Sequence, residues 1–407
     1  MRIAMIGDVG VVDGMMHIGD EAMFEAMVAA LRDRGVDAIT AISAAPADTA
    51  TRYGVAAIGR IGFTGTREQM RERLEAVRAA AGGAPNLADR DPAAAVVDAV
   101  ADADAVVIAG GGNLASNWPS HVFERAALGA IADRLGRPLV VSGQTLGPWL
   151  DPPDRRLVAE LLRSARLTGV REPASLALAG ELGVPEDRLT GNRDDASFLG
   201  IGDPRSASGI ESDIERGAAE RYVLVSLSLH LGGLPRDETV RGLASALDRV
   251  AERADAPVRF HPHFGSLDPE IEAGDEVLHA AVLDAMRSPA ELLQPGDARS
   301  AARLARGAAM LVTSRYHPAV FATAAGVPVA ALSADDYTAV KLRGATGWWG
   351  QDGVIPLGLA ASDRGGDALG DVWDRRATTR RTASALRSRA MAESDGWFDR
   401  VARALAG

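Results

Sequence analysis

The chain has 407 residues, of which 47% are hydrophobic and 24% charged, a composition typical of a globular protein with two or three domains. Its net charge of -11 argues against nucleic acid or an anionic membrane surface as the main partner, although a small anionic substrate needs only a few local cations. The absence of cysteine excludes disulfides, thiolate nucleophiles and cysteine-ligated metal centres. No uncharged apolar stretch is long enough for a membrane span, and we expect a cytoplasmic protein.

The first half alternates between short apolar runs and helical patterns. The run "RIAMIG" predicts a first strand rather than a signal peptide, because Asp8 interrupts it, and the segment up to Gly35 then has apolar residues at helical spacing. Repeated strand–helix–strand units predict a parallel sheet with helices on both faces. Further strands are predicted at "DAITAIS", "DAVVIAGGG", "PLVVSGQ" and "LTGV".

A second strand–helix series follows a polar, glycine-containing segment at residues 202–220, which we interpret as a linker. The pattern predicts an α/β protein with two Rossmann-like domains, residues 1–201 and 221–368, facing each other across a cleft. The remaining residues, 369–407, are rich in arginine and alanine and predict helices that pack back on the first domain. Ligands of such sheets bind beyond the carboxyl ends of the strands, so the site is expected in the cleft.

One short segment, "TSRYHPAVFA", places Arg315 and His317 at the junction between a predicted strand and a predicted helix. Pro318 suits the first helical turn, and a residue that precedes proline disfavours helical geometry, so His317 is expected in the turn. Arg315 and His317 would then project where a cation and a helix N-terminus together favour an anion. In the alternative interpretation, Arg315 caps a neighbouring helix and His317 is a buried, hydrogen-bonded histidine.

Polar or glycine-rich segments follow the other predicted strands as well. Each is weak evidence alone, since Asp20, for example, is also explained as an ordinary helix N-cap. Their common position at strand ends is what indicates a site. The segments are Gly19–Glu21 at a helix start, "IAGGGNL", "SGQTLGPW", "GVREPAS" with Arg171, and "GNRDDASF".

Taken in order, "GDEAM", "GGGNL", "GQTLGP", "VREPAS", "GNRDDASF" and "SRYHPAVFATAAGVP" resemble the motifs of polysaccharide pyruvyl transferases, over residues 1 to about 350. The resemblance implies a glycosyltransferase-B-type fold. It also implies transfer of the enolpyruvyl unit of phosphoenolpyruvate onto two hydroxyls of a sugar, which forms a cyclic ketal and releases phosphate. The expected partners are a small-molecule donor and a sugar-containing acceptor, and no cofactor is expected.

The resemblance also assigns roles to residues at the donor. Phosphoenolpyruvate carries a phosphate and a carboxylate, and the planar fork of arginine pairs with both groups in bidentate fashion. By resemblance, Arg171 from the first domain and Arg315 from the second bind the donor together with Ser314. Lys341, the only lysine beside 43 arginines, lies where the family pattern has a lysine, and we assign it to the donor phosphate or carboxylate. The alternative is a surface lysine kept by coincidence.

Ketal formation begins with a proton delivered to the methylene carbon of the donor. His317 is assigned as this general acid, because a histidine can supply a proton near neutral pH. Asp195 and Asp20 are weaker candidates for the base that removes protons from the acceptor hydroxyls.

The chain departs from the family pattern in two places that are candidates for contact with the acceptor. The first strand of the second half ends with arginine in many members, whereas "VSLSLH" ends at His230, and the loop "GGGNLASNWPSH" is unusual. The acceptor is therefore a polysaccharide, a free sugar, a nucleotide sugar or a small natural product. The candidate acceptor or cleft residues are Gly111, Gly112, Asn113, Gln144, His230 and His263.

Three other interpretations stay open. His261 and His263 in "RFHPH", with Asp268, have ligand types that suit zinc, but a third ligand is not clearly placed and we assign no metal site. A glycosyltransferase of the same fold would bind the diphosphate of a nucleotide sugar near Arg315 and Lys341. A non-catalytic sugar- or anion-binding protein would keep the fold without turnover.

Overall fold

The computed structural model divides the chain into two compact units, each made from separated segments. The first unit consists of Met1–Val12, Met23–Asp195 and Ser394–Gly407, and the second of Asp13–Ala22 and Ala196–Glu393. The structure describes residues 1–84, 87–201, 208–351 and 353–407.

Helices and strands alternate along the described chain. The strands are β1 (Arg2–Ile6), β2 (Met15–His17), β3 (Ala38–Ser43), β4 (Ala56–Gly59), β5 (Ala105–Ile108), β6 (Gly111–Leu114), β7 (Leu139–Leu146), β8 (Leu167–Val170), β9 (Leu189–Gly191), β10 (Val223–Ser226), β11 (Val258–Phe260), β12 (Phe264–Ser266), β13 (Ala290–Leu292), β14 (Met310–Thr313), β15 (Val329–Ser333) and β16 (Val354–Pro356). The helices are α1 (Ile18–Arg32), α2 (Pro46–Tyr53), α3 (Arg67–Ala81), α4 (Pro92–Asp102), α5 (Pro119–Arg134), α6 (Pro152–Ser164), α7 (Pro173–Glu181), α8 (Ser208–Glu220), α9 (Arg236–Ala254), α10 (Glu276–Ala285), α11 (Ala298–Gly307), α12 (Tyr316–Ala324), α13 (Asp336–Gly347), α14 (Leu357–Ala360), α15 (Gly365–Asp374) and α16 (Arg376–Ala406).

The sheet of the first unit is parallel, with the strand order β4-β3-β1-β5-β7-β8-β9 and with β6 paired to β7. From β1 the chain proceeds to β3 and β4 on one side, and from β5 it proceeds to β7, β8 and β9 on the other. The order therefore reverses between β1 and β5. Such a reversal opens a crevice at the carboxyl ends of the two strands, where ligands of open α/β sheets bind.

The sheet of the second unit is also parallel and has the order β13-β11-β10-β14-β15-β16. Its strand order reverses between β10 and β14, so the equivalent crevice lies beyond Ser226 and Thr313. An antiparallel pair, β2 with β12, is added to this unit, and the backbone N–H of Ile18 donates to the carbonyl of His263 (3.0 Å).

Apolar side chains cover both faces of the first sheet and build its core. The strands read as near-continuous buried runs, such as Ala105–Ile108, because helices pack on both sides. Trp397, Phe398, Val401 and Leu405 from the end of α16 are buried in one of these two clusters. Local signals set the helix boundaries; for example, Thr66 and Gln69 form a capping box at the start of α3.

The α/β class and the two parallel Rossmann-like sheets are as the sequence predicts, but several boundaries differ. Residues 202–220 were expected to be a linker, yet Ser208–Glu220 form helix α8 within the second unit. The helix packs there through buried side chains such as Ile210 and Asp213. Residues 202–207 lie outside the described residues. The expected first domain, 1–201, also differs, since Asp13–Ala22 belongs to the second unit and Ser394–Gly407 to the first. None of the helices within the described chain combines the length and apolarity that crossing a membrane requires.

Candidate functional site

The crevice of the second sheet is closed at its base by hydrogen bonds between the loops that follow β10 and β14. The backbone N–H of Ser314 donates to the carbonyl of Ser226 (3.0 Å), and the hydroxyl of Ser314 accepts from the N–H of Ser228 (2.8 Å). Ser314, predicted to bind the donor, therefore joins the two loops and holds the start of α12 at the crevice.

Arg315 lies at the N-cap of α12 and is aligned by Asp275. Its Nε donates to both carboxylate oxygens of Asp275 (3.1 and 2.9 Å), and Nη2 donates to Oδ1. Asp275 is fully buried and also accepts from the backbone N–H groups of His263 and Phe264 (3.1 and 2.9 Å). No acceptor for Nη1 of Arg315 is found among the described residues, and the side chain is 25% exposed. The guanidinium is thus fixed along one edge, while its other edge can bind an anion.

His317 lies in the first turn of α12, directly against the backbone of Gly19 in the first turn of α1. A Cβ atom added to Gly19 would lie 1.9 Å from Nδ1 of His317, so only glycine fits there. The imidazole also packs on Tyr316 and Phe321, with ring centroids 5.0 and 6.0 Å away. Asp20, predicted as a base, follows Gly19 and is half-buried. The structure therefore brings Asp20 into the turn that contacts His317.

Lys341 extends from α13, the helix that follows β15, between two tyrosines. Its Nζ lies 5.5 Å from the ring centre of Tyr316 and 4.9 Å from that of Tyr337, whose hydroxyl is 3.4 Å away. None of the carboxylates in the described ranges forms an ion pair with this ammonium group. The only lysine of the chain is thus held between the faces of two aromatic rings.

His230 was expected at the end of the first strand of this unit, but β10 ends at Ser226, and His230 is exposed in the following loop. The strand ends early because Ser226 and Thr313 are the last paired residues. Its Nε2 lies 2.8 Å from Oδ2 of Asp335, the N-cap residue of α13. His230 therefore contacts the helix that carries Lys341.

Three buried histidines surround the base of the crevice. His261 and His263 follow β11, and their ring centres are 5.2 Å apart, while His279 on α10 accepts from the backbone N–H of Leu227 (2.8 Å). Burial lowers the pKa of His261 to about 4 and that of His279 to about 3. Within the part of the chain that the structure describes, these and the other titratable side chains form no cluster of three or more suited to a metal ion.

In the first unit, Arg171 does not have the environment expected for a donor ligand. It is 1% exposed, its Nη1 donates to Asp194 (2.7 Å), and its Nε donates to Thr145 (2.9 Å) and Glu172 (3.2 Å). Two carboxylates already neutralise the guanidinium, so this geometry does not support the predicted donor role. Arg171 instead links β7 with the segments that follow β8 and β9.

Asp195, predicted as a catalytic base, is 4% exposed, and its carboxylate is hydrogen-bonded within the first unit. It accepts from the hydroxyl of Ser142 (2.7 Å) and from the indole N–H of Trp397 (3.2 Å). Burial and the neighbouring Asp194 raise the pKa of Asp195 to about 7, although its hydrogen bonds and Arg171 oppose this. Its surroundings favour a structural role over contact with an acceptor.

The reversal point of the first sheet holds a charged cluster that the sequence did not predict. Asp8, after β1, is within 3.0 Å of Nδ1 of His121 and 2.7 Å of Nη2 of Arg125, and it accepts from the amide of Asn113. Burial alone would raise the pKa of Asp8, but Arg125, His121 and Arg60 together hold it well below its usual range. The strand-end position of Asp8 was visible in "IGDVG", whereas its partners come from distant segments.

The other acceptor candidates of the first unit, Gly111, Gly112 and Gln144, lie near this cluster. Gly111 and Gly112 begin β6 and are buried, and a Cβ atom on Gly111 would lie 3.8 Å from Asp8 and 3.5 Å from Gln144. The amide of Gln144 donates to the carbonyl of Ala109 (2.6 Å), so this side chain is occupied in joining β7 to the end of β5.

Solved structures with the same architecture define the class of fold. UDP-GlcNAc 2-epimerase from Neisseria meningitidis, bound to UDP-GlcNAc, aligns over 100% of both chains with a TM-score of 0.59 and 10% identity. Anabaena HepE, in complex with UDP and glucose, covers 100% of this chain and 99% of its own (TM-score 0.57, 16% identity). The calicheamicin glycosyltransferase CalG4 covers 100% and 98% (TM-score 0.53, 17% identity). The fold is therefore of the glycosyltransferase-B type.

The amino-acid sequence identifies the family to which the chain belongs. The model of the polysaccharide pyruvyl transferase family matches residues 17–336. The chain belongs to this family, a family of transferases, as its motifs predicted. No curated protein sequence gives a significant match.

Proposed function

We propose that the protein transfers the enolpyruvyl unit of phosphoenolpyruvate onto hydroxyls of a sugar-containing acceptor, forming a ketal and releasing phosphate. The observation that carries this proposal is the combination of Arg315, His317 and Lys341 at the carboxyl edge of one sheet, in a member of the pyruvyl transferase family. Two cations and a histidine match a small donor that carries both a phosphate and a carboxylate.

In this proposal, Arg315 and Lys341 bind the donor in different ways. The outer edge of the Arg315 guanidinium offers parallel N–H groups to a carboxylate or phosphate, while Asp275 holds its inner edge. Lys341 supplies a compact positive charge. Each charge-assisted hydrogen bond contributes roughly 1.5–3 kcal/mol, which is enough for selective binding of a doubly charged molecule.

The reaction then requires one proton to be added to the donor and two protons to be removed from the acceptor hydroxyls. Protonated His317 gives its proton to the methylene carbon, and the electron pair of the carbon–carbon double bond forms the new C–H bond. The adjacent carbon becomes electrophilic, one acceptor hydroxyl adds to it, and a second hydroxyl displaces phosphate to close the ketal. General acid assistance of this kind is typically worth about 10²–10⁴ in rate.

The hydroxyl protons require a base, and within the second unit the candidate is Asp20, which follows Gly19 in the turn against His317.

The test is phosphate release from phosphoenolpyruvate in the presence of a panel of sugars and sugar nucleotides. Wild type is expected to release phosphate only with an acceptor, whereas His317→Ala abolishes turnover and still binds phosphoenolpyruvate. Arg315→Ala is expected to lose donor binding, while Arg389→Ala, whose side chain is 80% exposed, serves as the arginine control. Turnover by His317→Ala would refute the acid assignment.

A second candidate is a nucleotide-sugar transferase, because similar folds have been solved with UDP or UDP-GlcNAc bound. This similarity concerns the fold alone, so ligand-binding experiments must distinguish the two candidate functions. A ligand that binds only the folded protein raises its Tm by mass action. We expect phosphoenolpyruvate to raise the Tm and UDP-sugars at equal concentration to leave it unchanged; the opposite pattern would favour the second candidate.

A further inference from the structure

His263 is a buried imidazole that the fold leaves without hydrogen bonds. It is 5% exposed, and neither of its ring nitrogens has a hydrogen-bond partner among the described residues. Buried polar groups in folded proteins are almost always satisfied, so each exception requires an explanation. The backbone of His263 is, in contrast, firmly held, because its N–H donates to Asp275 and its carbonyl accepts from Ile18.

The ring of His263 lies close to the donor candidates. Its centre lies 6.1 Å from that of Phe321, the ring on which His317 also packs at 6.0 Å. Asp275 joins its backbone to the guanidinium of Arg315. The unsatisfied imidazole is thus next to the two groups assigned to donor binding and proton transfer.

Burial, and after it the surrounding charges, favour the neutral form of His263. Burial lowers its pKa well below the usual range, and the neighbouring positive and titratable groups lower it further. Among the described residues, Asp275 is the only carboxylate that hydrogen-bonds to His263; it accepts from the backbone N–H and is neutralised by Arg315. The groups that face the ring are His261 after β11, His279 on α10, Arg315 before α12 and His317 on α12.

We propose that His263 is a ligand of the anion itself, binding an oxygen of a phosphoryl or carboxylate group and taking up a proton when the anion binds. A doubly negative ligand favours the charged form of an imidazole within a few ångströms, and its oxygen accepts an N–H of the ring that has no acceptor among the described residues. Donor binding is then coupled to proton uptake. The inference rests on the proposed function only for the identity of the donor.

Histidine-selective ¹⁵N NMR tests the protonation directly, because the chain has only 7 histidines and single substitutions can assign them. At pH 7 without ligand, the ring nitrogens of His263 are expected to show the neutral pattern. Saturating phosphoenolpyruvate or inorganic phosphate is expected to convert them to the imidazolium pattern. A His263 signal that stays neutral at saturation would overturn the proposal.

Affinity provides the second readout. His263→Asn and His263→Gln keep polar atoms but cannot be protonated, and we expect the Kd of phosphoenolpyruvate to rise about tenfold or more. The control is His17→Asn, at an exposed histidine of β2, which is expected to retain wild-type proton uptake and affinity. Equal affinity in wild type and both His263 variants would also overturn the proposal.

The outcomes separate this inference from the proposed reaction. If phosphoenolpyruvate binds and turns over while His263 stays neutral, the inference fails and the reaction stands. If inorganic phosphate protonates His263 but phosphoenolpyruvate supports no turnover with any acceptor, the inference stands and the reaction fails. If neither anion binds, both are wrong.

Discussion

At the scale of single residues, Asp195 combines complete burial with hydrogen bonds from Ser142 and Trp397. Its pKa of about 7 in the folded protein lies above the value of roughly 3.9 for an unfolded chain. The folded state therefore binds this proton more tightly than the unfolded state does. The stability that this preference contributes is fully present below pH 4 and is lost as the pH rises through 7.

Asp195→Asn should therefore make stability less dependent on pH. Asparagine cannot ionise but still accepts from Trp397, so the free energy of unfolding of the variant should fall less than that of wild type between pH 5 and pH 8. Urea unfolding at four pH values in that interval measures the difference. Identical slopes for the two proteins would contradict the pKa assignment.

Gly19 is expected to matter through the space it leaves for His317. Gly19→Ala adds a methyl group 1.9 Å from Nδ1, so the imidazole must move. We expect kcat for phosphate release to fall by about 10²-fold or more, toward the value of His317→Ala. The shift in Tm on adding phosphoenolpyruvate should persist, because Arg315 is unaffected. Full kcat in Gly19→Ala would show that the contact is unimportant.

The residues of the site were only partly predictable. One edge of the sheet carries Ser314, Arg315, His317 and Lys341, because these residues follow the neighbouring strands β14 and β15. The sequence predicts both strands from their apolar runs. The burial of Arg171 was not predictable, because carboxylates at positions 172 and 194 look like surface charges until the fold encloses them.

At the scale of elements, helix α16 contains a glycine with no structural reason to be there. A Cβ atom on Gly396 would meet no atom within 4 Å. Gly396→Ala should therefore stabilise the protein by roughly 0.5–1 kcal/mol, since glycine in a helix interior costs conformational entropy. Thermal unfolding measures this, and the variant is also the matched control for Gly19→Ala. A lowered Tm would mean that the helix is not continuous there.

Strands and helices with strong periodicity were predicted, whereas short strands were not. The runs at β1, β3, β5, β7 and β8 are apolar and bounded by glycine or polar residues. The three-residue strands β2 and β12 carry no such pattern, because their pairing depends on which distant segment lies beside them. The linker prediction was wrong at α8 for a related reason. The sequence of a polar helix with few apolar residues resembles that of a loop, and its helical structure depends on tertiary packing.

At the scale of the whole molecule, the sequence contains one lysine, which makes a chemical experiment specific. Acetylation at pH 8 should modify Lys341 and the N-terminal amine, and we expect activity to fall in parallel with modification of Lys341. Phosphoenolpyruvate should protect both the residue and the activity. Mass spectrometry follows the modification. Full activity after complete acetylation, or in Lys341→Arg, would exclude a role in binding.

The first unit depends on residues far along the chain. Trp397 is 4% exposed in the core of the first unit. The indole of Trp397 packs against Gly169, where an added Cβ atom would lie 2.4 Å from the ring. Trp397→Ala should cost about 3–5 kcal/mol, the usual range for truncating a buried aromatic. Arg389→Ala, in the same helix but exposed, should change stability by less than about 0.5 kcal/mol. Equal effects in urea unfolding would contradict the buried position.

This arrangement has a consequence for synthesis on the ribosome. Domains generally fold as they emerge, N-terminal part first. Here Ser394–Gly407 completes the core that Met1–Val12 begins, so that core stays unfinished while Ala196–Glu393 is being translated. The nascent polypeptide therefore exposes an apolar face until α16 has left the exit tunnel, and chaperones that bind such surfaces should engage it during this time.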